Sequence, residues 1–424
     1  MDLLISNIKT LLPTESESRP FVAGEQMSEL DSIENAWLHI SEGKIRNFGT
    51  MSDPALTRIR KTMSGLQELS ASGKMVIPAF CDSHTHLVYA GSREGEYTDK
   101  IRGLSYEEIA KRGGGILNSA ALLRETHEDE LYRQSHARVK EILKMGTGAV
   151  EIKSGYGLDT NSELKMLRVI RRLKETTPLD IRATFLGAHS FPLEYRKDTE
   201  RYVDLVVSEM IPAVSEEGLA DYIDVFCDRG FFTVKQTERI LEAGISHGLK
   251  PKIHANELDF SGGIQTGIKY GALSVDHLEF TGAEEIRCLL DSDTMPTLLP
   301  GASFFLGLKY APAREMINAG LPVALASDFN PGSSPSGNMK LVMSLACIQM
   351  RMLPAEALHA VTLNSAYAMG LHETHGSISR GKKANLIITG EVPGFDYLPY
   401  AYGSDLVDTV ILNGSIEYKK DYEL

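Results

Sequence analysis

Residues 76–89 read VIPAFCDSHTHLVY, and this stretch decides both the fold and the chemistry expected of the chain. A short apolar run ends at Phe80 and is followed at once by polar residues, which is typical of a buried strand that delivers side chains to a site. If strand geometry continues through Thr85, His84 and His86 point to the same side, because side chains alternate with a period of two. Two such imidazoles are half of a metal site. Two polar loop histidines without a ligand are the alternative.

The composition is that of a globular protein with an acidic surface. Of the 424 residues, 42% are hydrophobic and 24% are charged, and the formal net charge is -13. This balance argues against nucleic acid or an anionic membrane as the main partner, although one local cation suffices for a small anionic substrate. The 4 cysteines form no C-x-x-C pair, and neither a signal peptide nor a membrane-spanning apolar run is found. We therefore expect a soluble, cytoplasmic protein.

The middle of the chain repeats one unit, a short apolar strand followed by a helical stretch. Alternation of strand and helix implies a parallel sheet, and eight such units closed on themselves form a TIM-like (β/α)8 barrel, an α/β fold. The eight predicted strands are 75–80, 149–152, 181–187, 222–226, 251–253, 273–275, 294–299 and 323–326. The clearest helices are predicted at 128–145, 162–175, 235–247 and 337–352.

Both ends of the chain differ from the middle, because they are rich in short strands and tight turns. LLISNIKTLL (3–12) and AWLHISEGKIRNFGT (36–50) lie at one end, and ANLIITG (384–390) and VILNGSIEY (410–418) at the other. The pairs Glu42-Gly43 and Asn413-Gly414 are hairpin signals. We predict one small β domain made of residues 1–75 plus 371–424, beside a barrel of residues 76–370.

The C-terminal ends of the predicted barrel strands carry an excess of histidine. In a barrel of this kind the chemistry lies at these ends, on the loops that follow the strands. Five of the 12 histidines fall there, which favours a metal site over isolated loop histidines. The polar residues at these ends are His84, His86, Lys153, Tyr156, His189, Cys227, Asp228, His254, Glu257, His277 and Asp328.

Three imidazoles and one carboxylate, from His84, His86, His254 and Asp328, predict a site for one metal ion. This donor set suits zinc, and iron is also compatible. With water in an open position, the ion would lower the pKa of that water toward about 7. Asp328 could in addition accept a proton from the water. Its alternative is a turn residue, since Ser-Asp-Phe-Asn-Pro-Gly is turn-forming chemistry.

Four further residues are candidates for catalysis or binding. Glu257 is placed to carry a proton to a leaving nitrogen, unless it is a solvated loop residue. His277 is either a further metal ligand or a group that polarises the attacked carbonyl. Lys153 is favoured as an ion-pair partner over a carbamylated bridge between two metals. Arg93 could hold a substrate carboxylate bidentately, or it could lie on the surface.

The order of these residues resembles the amidohydrolase superfamily of metal-dependent barrels, with HxH after the first strand, HxxE after the fifth, His after the sixth and Asp after the eighth. Longer motifs are similar to those of the imidazolonepropionase family. They are HTHLVYAGSR (84–93), GGGI (113–116), EIKSGYGL (151–158), FLGAH (185–189), HANE (254–257) and SDFNPGS (327–333). By itself, the triple glycine 113–115 predicts a flexible loop over the barrel mouth rather than a phosphate site.

The resemblance implies an enzyme that hydrolyses the ring of 4-imidazolone-5-propanoate to N-formimino-L-glutamate in histidine degradation. It also implies a small β-sandwich built from both termini, a homodimer, and one zinc or iron ion bound by His84, His86, His254 and Asp328. Glu257 and His277 would handle protons and the carbonyl. The implied substrate contacts are Arg93, Tyr156, His189, Glu257, Asn330, Gly332 and Ser333.

Two other functions share parts of this pattern. A nucleobase deaminase of the same superfamily would use the same metal residues but would have no use for a carboxylate clamp. A non-catalytic scaffold that kept the barrel tends to lose ligands, and this chain has lost none. Both alternatives stay open at the level of sequence.

Overall fold

The computed structural model describes residues 2–104 and 114–420, and the predicted loop residue Gly113 lies outside these ranges. Two sheets organise the described residues, a parallel barrel and a mixed sheet that draws strands from both chain ends. No helix in these two ranges is long and apolar enough to cross a membrane.

The barrel sheet confirms the predicted α/β architecture. Neighbouring strands are parallel throughout, and the fifth position is divided into two short strands. The last turn meets the first strand, because the Asp328 amide donates to the His84 carbonyl at 3.0 Å and the His86 amide donates to the Phe329 carbonyl at 3.0 Å. In chain order the strands are Phe80–Thr85, Thr147–Lys153, Asp180–Ala188, Tyr222–Cys227, Lys250–Pro251 with Ile253–Ala255, Ser274–His277, Met295–Leu298 and Ala324–Leu325.

The predicted first barrel strand, 75–80, is wrong. Lys74–Pro78 pairs with two strands of the terminal sheet, and the barrel strand begins only at Phe80. The change of sheet occurs at Ala79, whose amide donates to the Asn385 carbonyl, while the Phe80 amide donates to the Gly146 carbonyl in the barrel. Both sheets bury this apolar run, so hydrophobicity alone does not separate the two strands.

The terminal sheet confirms that both chain ends build one β unit. Phe48 and Ile411 lie on strands far apart in the strand order but belong to one buried cluster, so the sheet folds over on itself as a sandwich does. Its strands, in spatial order, are Ser415–Lys419, Val407–Leu412, Leu386–Glu391, Lys74–Pro78, Asp2–Leu11, Ile33–Ser41 and Lys44–Thr50, with Gln67–Ser70 beside Asp2–Leu11. A separate pair joins Thr14–Glu15 to Ile378–Ser379.

Both predicted hairpin turns are present. Glu42 and Gly43 have φ values of 52° and 74°, and Asn413 and Gly414 have φ values of 50° and 78°. Two successive residues with positive φ match the twist of the flanking strands, and Asn and Gly adopt this conformation at low cost.

The four clearest predicted helices are confirmed, with ends set by capping side chains. Asp159 accepts from the Ser162 amide at 2.9 Å, and Thr233 and Gln236 form a capping box. The α-helices are Pro54–Thr62, Glu94–Ile101, Ile116–Glu125, Glu128–Lys144, Thr160–Thr176, Thr199–Leu205, Ile211–Glu216, Val234–Ser246, Gly263–Lys269, Ala283–Leu290, Pro300–Leu306, Ala313–Asn318, Met339–Gln349, Pro354–Ala360, Leu363–Ala368 and Tyr397–Tyr400. A π-helical turn, Val206–Met210, joins two of them, and 3-10 turns occur at Gly24–Ser28 and Leu193–Tyr195.

Candidate metal centre and active site

Three buried histidines converge at the C-terminal end of the barrel. One ring nitrogen each from His84, His86 and His254 lies within 4.8 Å of the other two, and the Nε2 atoms of His86 and His254 are 3.4 Å apart. Burial lowers the pKa values of His84 and His86 well below that of an ordinary histidine, so both rings are neutral near pH 7. Neutral imidazoles that face one another in this way are suited to a shared cation.

A carboxylate lies beside this cluster, in the turn after the last strand. Asp328 Oδ1 lies 3.7 Å from His84 Nε2 and 3.6 Å from His86 Nε2. Among the described residues, the buried His84 Nε2 has no hydrogen-bond partner, although such atoms are normally paired. Asp328 also has φ 52°, a strained conformation that concentrates at functional sites. Three nitrogens and one oxygen with an orphaned ring atom fit a divalent metal.

Two aspartates inside the barrel fix the orientation of the histidine rings. Asp276 Oδ2 lies 2.7 Å from His84 Nδ1, and Asp224 Oδ2 lies 3.0 Å from His254 Nδ1. A carboxylate on Nδ1 holds the proton there and leaves Nε2 as the free donor atom. Neither aspartate was among the candidates from the sequence, because those candidates were taken from strand ends and these two residues lie inside strands. The available signal was an acidic residue within an apolar barrel strand.

Lys153 is an ion-pair partner, as the sequence analysis favoured. Its ammonium donates to Glu151 Oε1 at 2.6 Å and to Asp224 Oδ2 at 2.8 Å, and Asp276 Oδ2 lies 3.5 Å away. Burial by itself would lower the pKa of Lys153, but Asp224 and Glu151 outweigh burial and raise it. A protonated amine does not form a carbamate, so this lysine has no part in a bridge between two metals.

Glu257 and His277 lie beside the cluster. Glu257 Oε2 is 3.7 Å from His277 Nδ1, and Asp228 Oδ2 positions Glu257 by accepting from its amide at 2.7 Å. Burial, together with the charge of Glu279, raises the pKa of Glu257 well above its usual value, whereas burial lowers that of His277. The pair therefore consists of a carboxyl that holds a proton and a neutral imidazole.

Most predicted site residues line one cavity of about 680 Å3 beside the histidines, whereas His84 and Lys153 do not. Those that line it are His86, Arg93, Tyr156, His189, His254, Glu257, His277, Asp328, Asn330, Gly332 and Ser333. Several apolar residues that line the cavity, and one cation, Lys100, were not among the candidates from the sequence. The aromatic residues among them are Tyr97, Phe226, Phe231, Phe304 and Phe305.

The turn after the last barrel strand shapes one side of the cavity. Asn330 Oδ1 accepts from the amides of Gly332 and Ser333 at 2.8 Å each, and its Nδ2 donates to the Asp328 carbonyl at 2.7 Å. A Cβ on Gly332 would lie 2.0 Å from Arg93 Nη1, so only glycine leaves room for that guanidinium. The turn thus supports the metal-site carboxylate and the arginine together.

Comparison with protein families and sequences agrees with this geometry. The family described as "Amidohydrolase family" matches residues 75–416. Imidazolonepropionases from Christiangramia forsetii and Flavobacterium johnsoniae are 55% and 54% identical over 98% of this chain and 100% of their own length. The imidazolonepropionase of Geobacillus kaustophilus is 45% identical over 98% of this chain and 97% of its own length.

Solved structures share the fold at low sequence identity. A triazine hydrolase variant superposes with TM-score 0.75 and 17% identity, covering 99% of this chain and 95% of its own. The guanine deaminase of E. coli gives TM-score 0.74 and 14% identity, covering 99% and 100%. An adenosine deaminase from Xanthomonas campestris with bound zinc gives 0.72 and 16%, covering 100% and 95%. From the match over most of its length and the identity to full-length relatives, the chain belongs to the amidohydrolase family, among its imidazolonepropionases.

Proposed function

We propose that the chain is a metal-dependent imidazolonepropionase that hydrolyses 4-imidazolone-5-propanoate to N-formimino-L-glutamate. The observation that carries the proposal is one cavity that reaches the three-histidine cluster at His86 and His254 and has Arg93 on its wall. A small anionic ring compound needs both parts, because the ring carbonyl must meet the metal site while the carboxylate meets a cation.

We assign the metal to His84, His86, His254 and Asp328, and zinc or iron suits these donors. When bound, the metal supplies Lewis-acid activation of water at neutral pH. Asp328 would accept a proton from the attacking water, and the Ser333 hydroxyl, which donates to its Oδ2 at 3.1 Å, would orient the carboxylate. Burial raises the pKa of Asp328 to about 6, which brings it near the range useful for a base.

The remaining proton transfer falls to Glu257. Water adds to the ring carbonyl, the bond from that carbon to the ring nitrogen breaks, and the carbonyl carbon becomes a carboxylate as the nitrogen departs. Glu257 holds a proton because burial raises its pKa, and it donates this proton to the departing nitrogen. The neutral His277 donates a hydrogen bond to the carbonyl oxygen, where charge develops in the transition state.

Four residues would orient the substrate. Arg93 binds the propanoate, while Tyr156 and His189 contact the ring. His189 stacks on His86 with ring centroids 4.9 Å apart, and burial lowers its pKa to about 3, so it is a neutral hydrogen-bonding group. Ser333 contributes its hydroxyl. Asn330 and Gly332 would act through the turn that they form, because the Asn330 amide is already engaged there.

Metal analysis paired with a hydrolysis assay on the same preparation tests the proposal. The protein should contain one zinc or iron ion per chain and open the ring of imidazolonepropionate. His254→Ala should lose metal and activity together, whereas His247→Ala, at an exposed helix end, should keep both. A preparation that holds metal stoichiometrically but deaminates a nucleobase instead would contradict the proposal.

We also propose three further properties. The chain would act as a homodimer, as the resemblance implies, and it would lie in the cytoplasm. It would divide near the predicted borders into a barrel and a terminal domain, with Lys74–Pro78 on the side of the terminal domain. Light scattering on the purified protein measures the first property. Limited proteolysis with mass spectrometry measures the division, because cuts should cluster at domain borders rather than within them.

A further inference from the structure

One edge of the Arg93 guanidinium, formed by its Nε and Nη2 atoms, is already occupied by Glu96. These two atoms donate to Glu96 Oε2 at 3.0 Å and 2.6 Å. Glu96 is fixed in turn, because its Oε1 accepts from the Gly115 amide at 3.0 Å and from Asn118 Nδ2 at 3.3 Å. A carboxylate that enters the cavity cannot use this edge, so it meets the side that bears Nη1, next to Gly332.

A second cation also contacts Gly332. Lys100 stands two helical turns beyond Arg93, on the same side of the helix Glu94–Ile101. Its ammonium donates to the Gly332 carbonyl at 3.2 Å and lies 5.3 Å from the centre of the Phe305 ring. Lys100, Arg93, Gly332 and Phe305 all line the cavity. The two cations therefore flank one glycine at the cavity wall.

The charges at this wall do not cancel. Glu96 neutralises Arg93, while the contacts of Lys100 among the described residues are a carbonyl oxygen and an aromatic ring rather than a carboxylate. Counted over the described residues, Arg93, Glu96 and Lys100 therefore carry a net charge of about one positive unit, which matches one carboxylate. Burial, and then the charge of Arg93, lowers the pKa of Lys100, as expected of a cation that faces another cation.

We propose that Lys100 is a substrate-binding residue that holds the carboxylate of the substrate together with Arg93, across Gly332. The inference rests on the proposed function and specifies its anion site. Arg93 supplies direction through the N–H groups that Glu96 leaves free, and Lys100 supplies the uncompensated charge. A substrate that lacks the carboxylate gains nothing from Lys100 and leaves two cations without a common partner.

Substitution of Lys100 tests the inference through KM. Lys100→Gln should raise KM for imidazolonepropionate roughly tenfold or more, because a hydrogen bond to a charged group is lost. The kcat value and the metal content should stay near those of the wild type, since the reacting atoms lie at the histidine cluster. Lys100→Arg should recover most of the affinity. Arg102→Gln removes a charge from the same helix at a side chain that is 71% exposed, and it should leave KM unchanged.

Inhibitor binding separates this inference from the proposed function. 3-(Imidazol-4-yl)propanoate and its primary amide differ only in the charge at the wall. The wild type should bind the acid more tightly than the amide, and Lys100→Gln should lose most of this preference. If the wild type hydrolyses imidazolonepropionate but Lys100→Gln keeps both KM and the acid preference, the role of Lys100 is refuted while the function stands. A wild type that does not hydrolyse the compound refutes the function itself.

Discussion

At the scale of single residues, burial sets the protonation states around the cavity. It lowers the pKa of His189 to about 3 and raises that of Glu279 to about 8. The barrel interior withdraws these groups from water, and a charged form without water or a counter-charge is costly. Neutral imidazoles beside protonated carboxyls therefore coexist near pH 7, and such a set can both accept and donate protons.

The clearest consequence at this scale concerns Glu257. Glu257→Gln should keep the metal, because this side chain is outside the three-histidine cluster. It should lower kcat about 100-fold or more, because an amide cannot give its proton to the leaving nitrogen. Elemental analysis and steady-state kinetics measure the two effects. Glu284→Gln, at an exposed position on a neighbouring helix, is the matched control. A variant with wild-type kcat would show that another group carries the proton.

At the scale of elements, a buried acid holds the loop after the second barrel strand in place. Glu163 lies in the helix Thr160–Thr176 and reaches back to the preceding loop. Its Oε2 accepts from the Gly155 amide at 3.1 Å, and its Oε1 accepts from the amides of Gly157 and Leu158 at 2.7 Å and 2.9 Å. This loop presents Tyr156 to the cavity, so the acid supports a proposed substrate contact.

Glu163→Gln should loosen this loop, because an amide nitrogen cannot accept from a backbone N–H and one donor is left unsatisfied. We expect a loss of about 1–3 kcal/mol in the free energy of unfolding and a higher KM with unchanged metal content. Urea unfolding and steady-state kinetics measure these effects. Glu175→Gln, exposed near the end of the same helix, should change neither quantity. A destabilised variant with wild-type KM would mean that the loop does not position Tyr156.

At the scale of the whole molecule, one aspartate joins the barrel to the C-terminal segment. Asp180 opens a barrel strand, and its carboxylate lies 2.8 Å from His375 Nε2 and accepts from Lys383 Nζ at 2.6 Å. Burial by itself would raise the pKa of Asp180, but His375 and Lys383 outweigh burial and lower it. An acid whose pKa is lowered on folding stabilises the fold above its unfolded pKa, here near 3.8, and loses this effect as the pH falls.

Asp180→Asn should therefore destabilise the protein by about 1–3 kcal/mol near pH 7. The difference from the wild type should shrink as the pH falls below about 4, where the wild-type carboxylate begins to gain a proton in the unfolded chain. Urea unfolding at several pH values measures this trend. Asp204→Asn, in a surface pair with a carboxylate side chain 63% exposed, should cost about 1 kcal/mol or less at any pH. An equal loss at all pH values for Asp180→Asn would contradict the role of its charge.

The sequence by itself determined the order of strands and helices and the set of candidate site residues. Strand ends such as those before His189 and His277 are recognisable because apolar runs stop where polar residues begin, and this local pattern requires no knowledge of the fold. The hairpins at Glu42-Gly43 and Asn413-Gly414 are local in the same sense. The parallel barrel follows from the alternation of these elements.

Only the tertiary structure decided what depends on contacts between distant segments. Lys74–Pro78 pairs in the terminal sheet rather than in the barrel. Either sheet would bury its apolar residues, so hydrophobicity does not distinguish the two assignments. The tertiary structure brought Asp276 to His84, and it brought the Gly332 carbonyl to Lys100. HxH and its neighbours predicted which atoms could bind a metal. Which protons those atoms hold, and which edge of Arg93 remains free, follow from burial and close contacts that exist only in the folded chain.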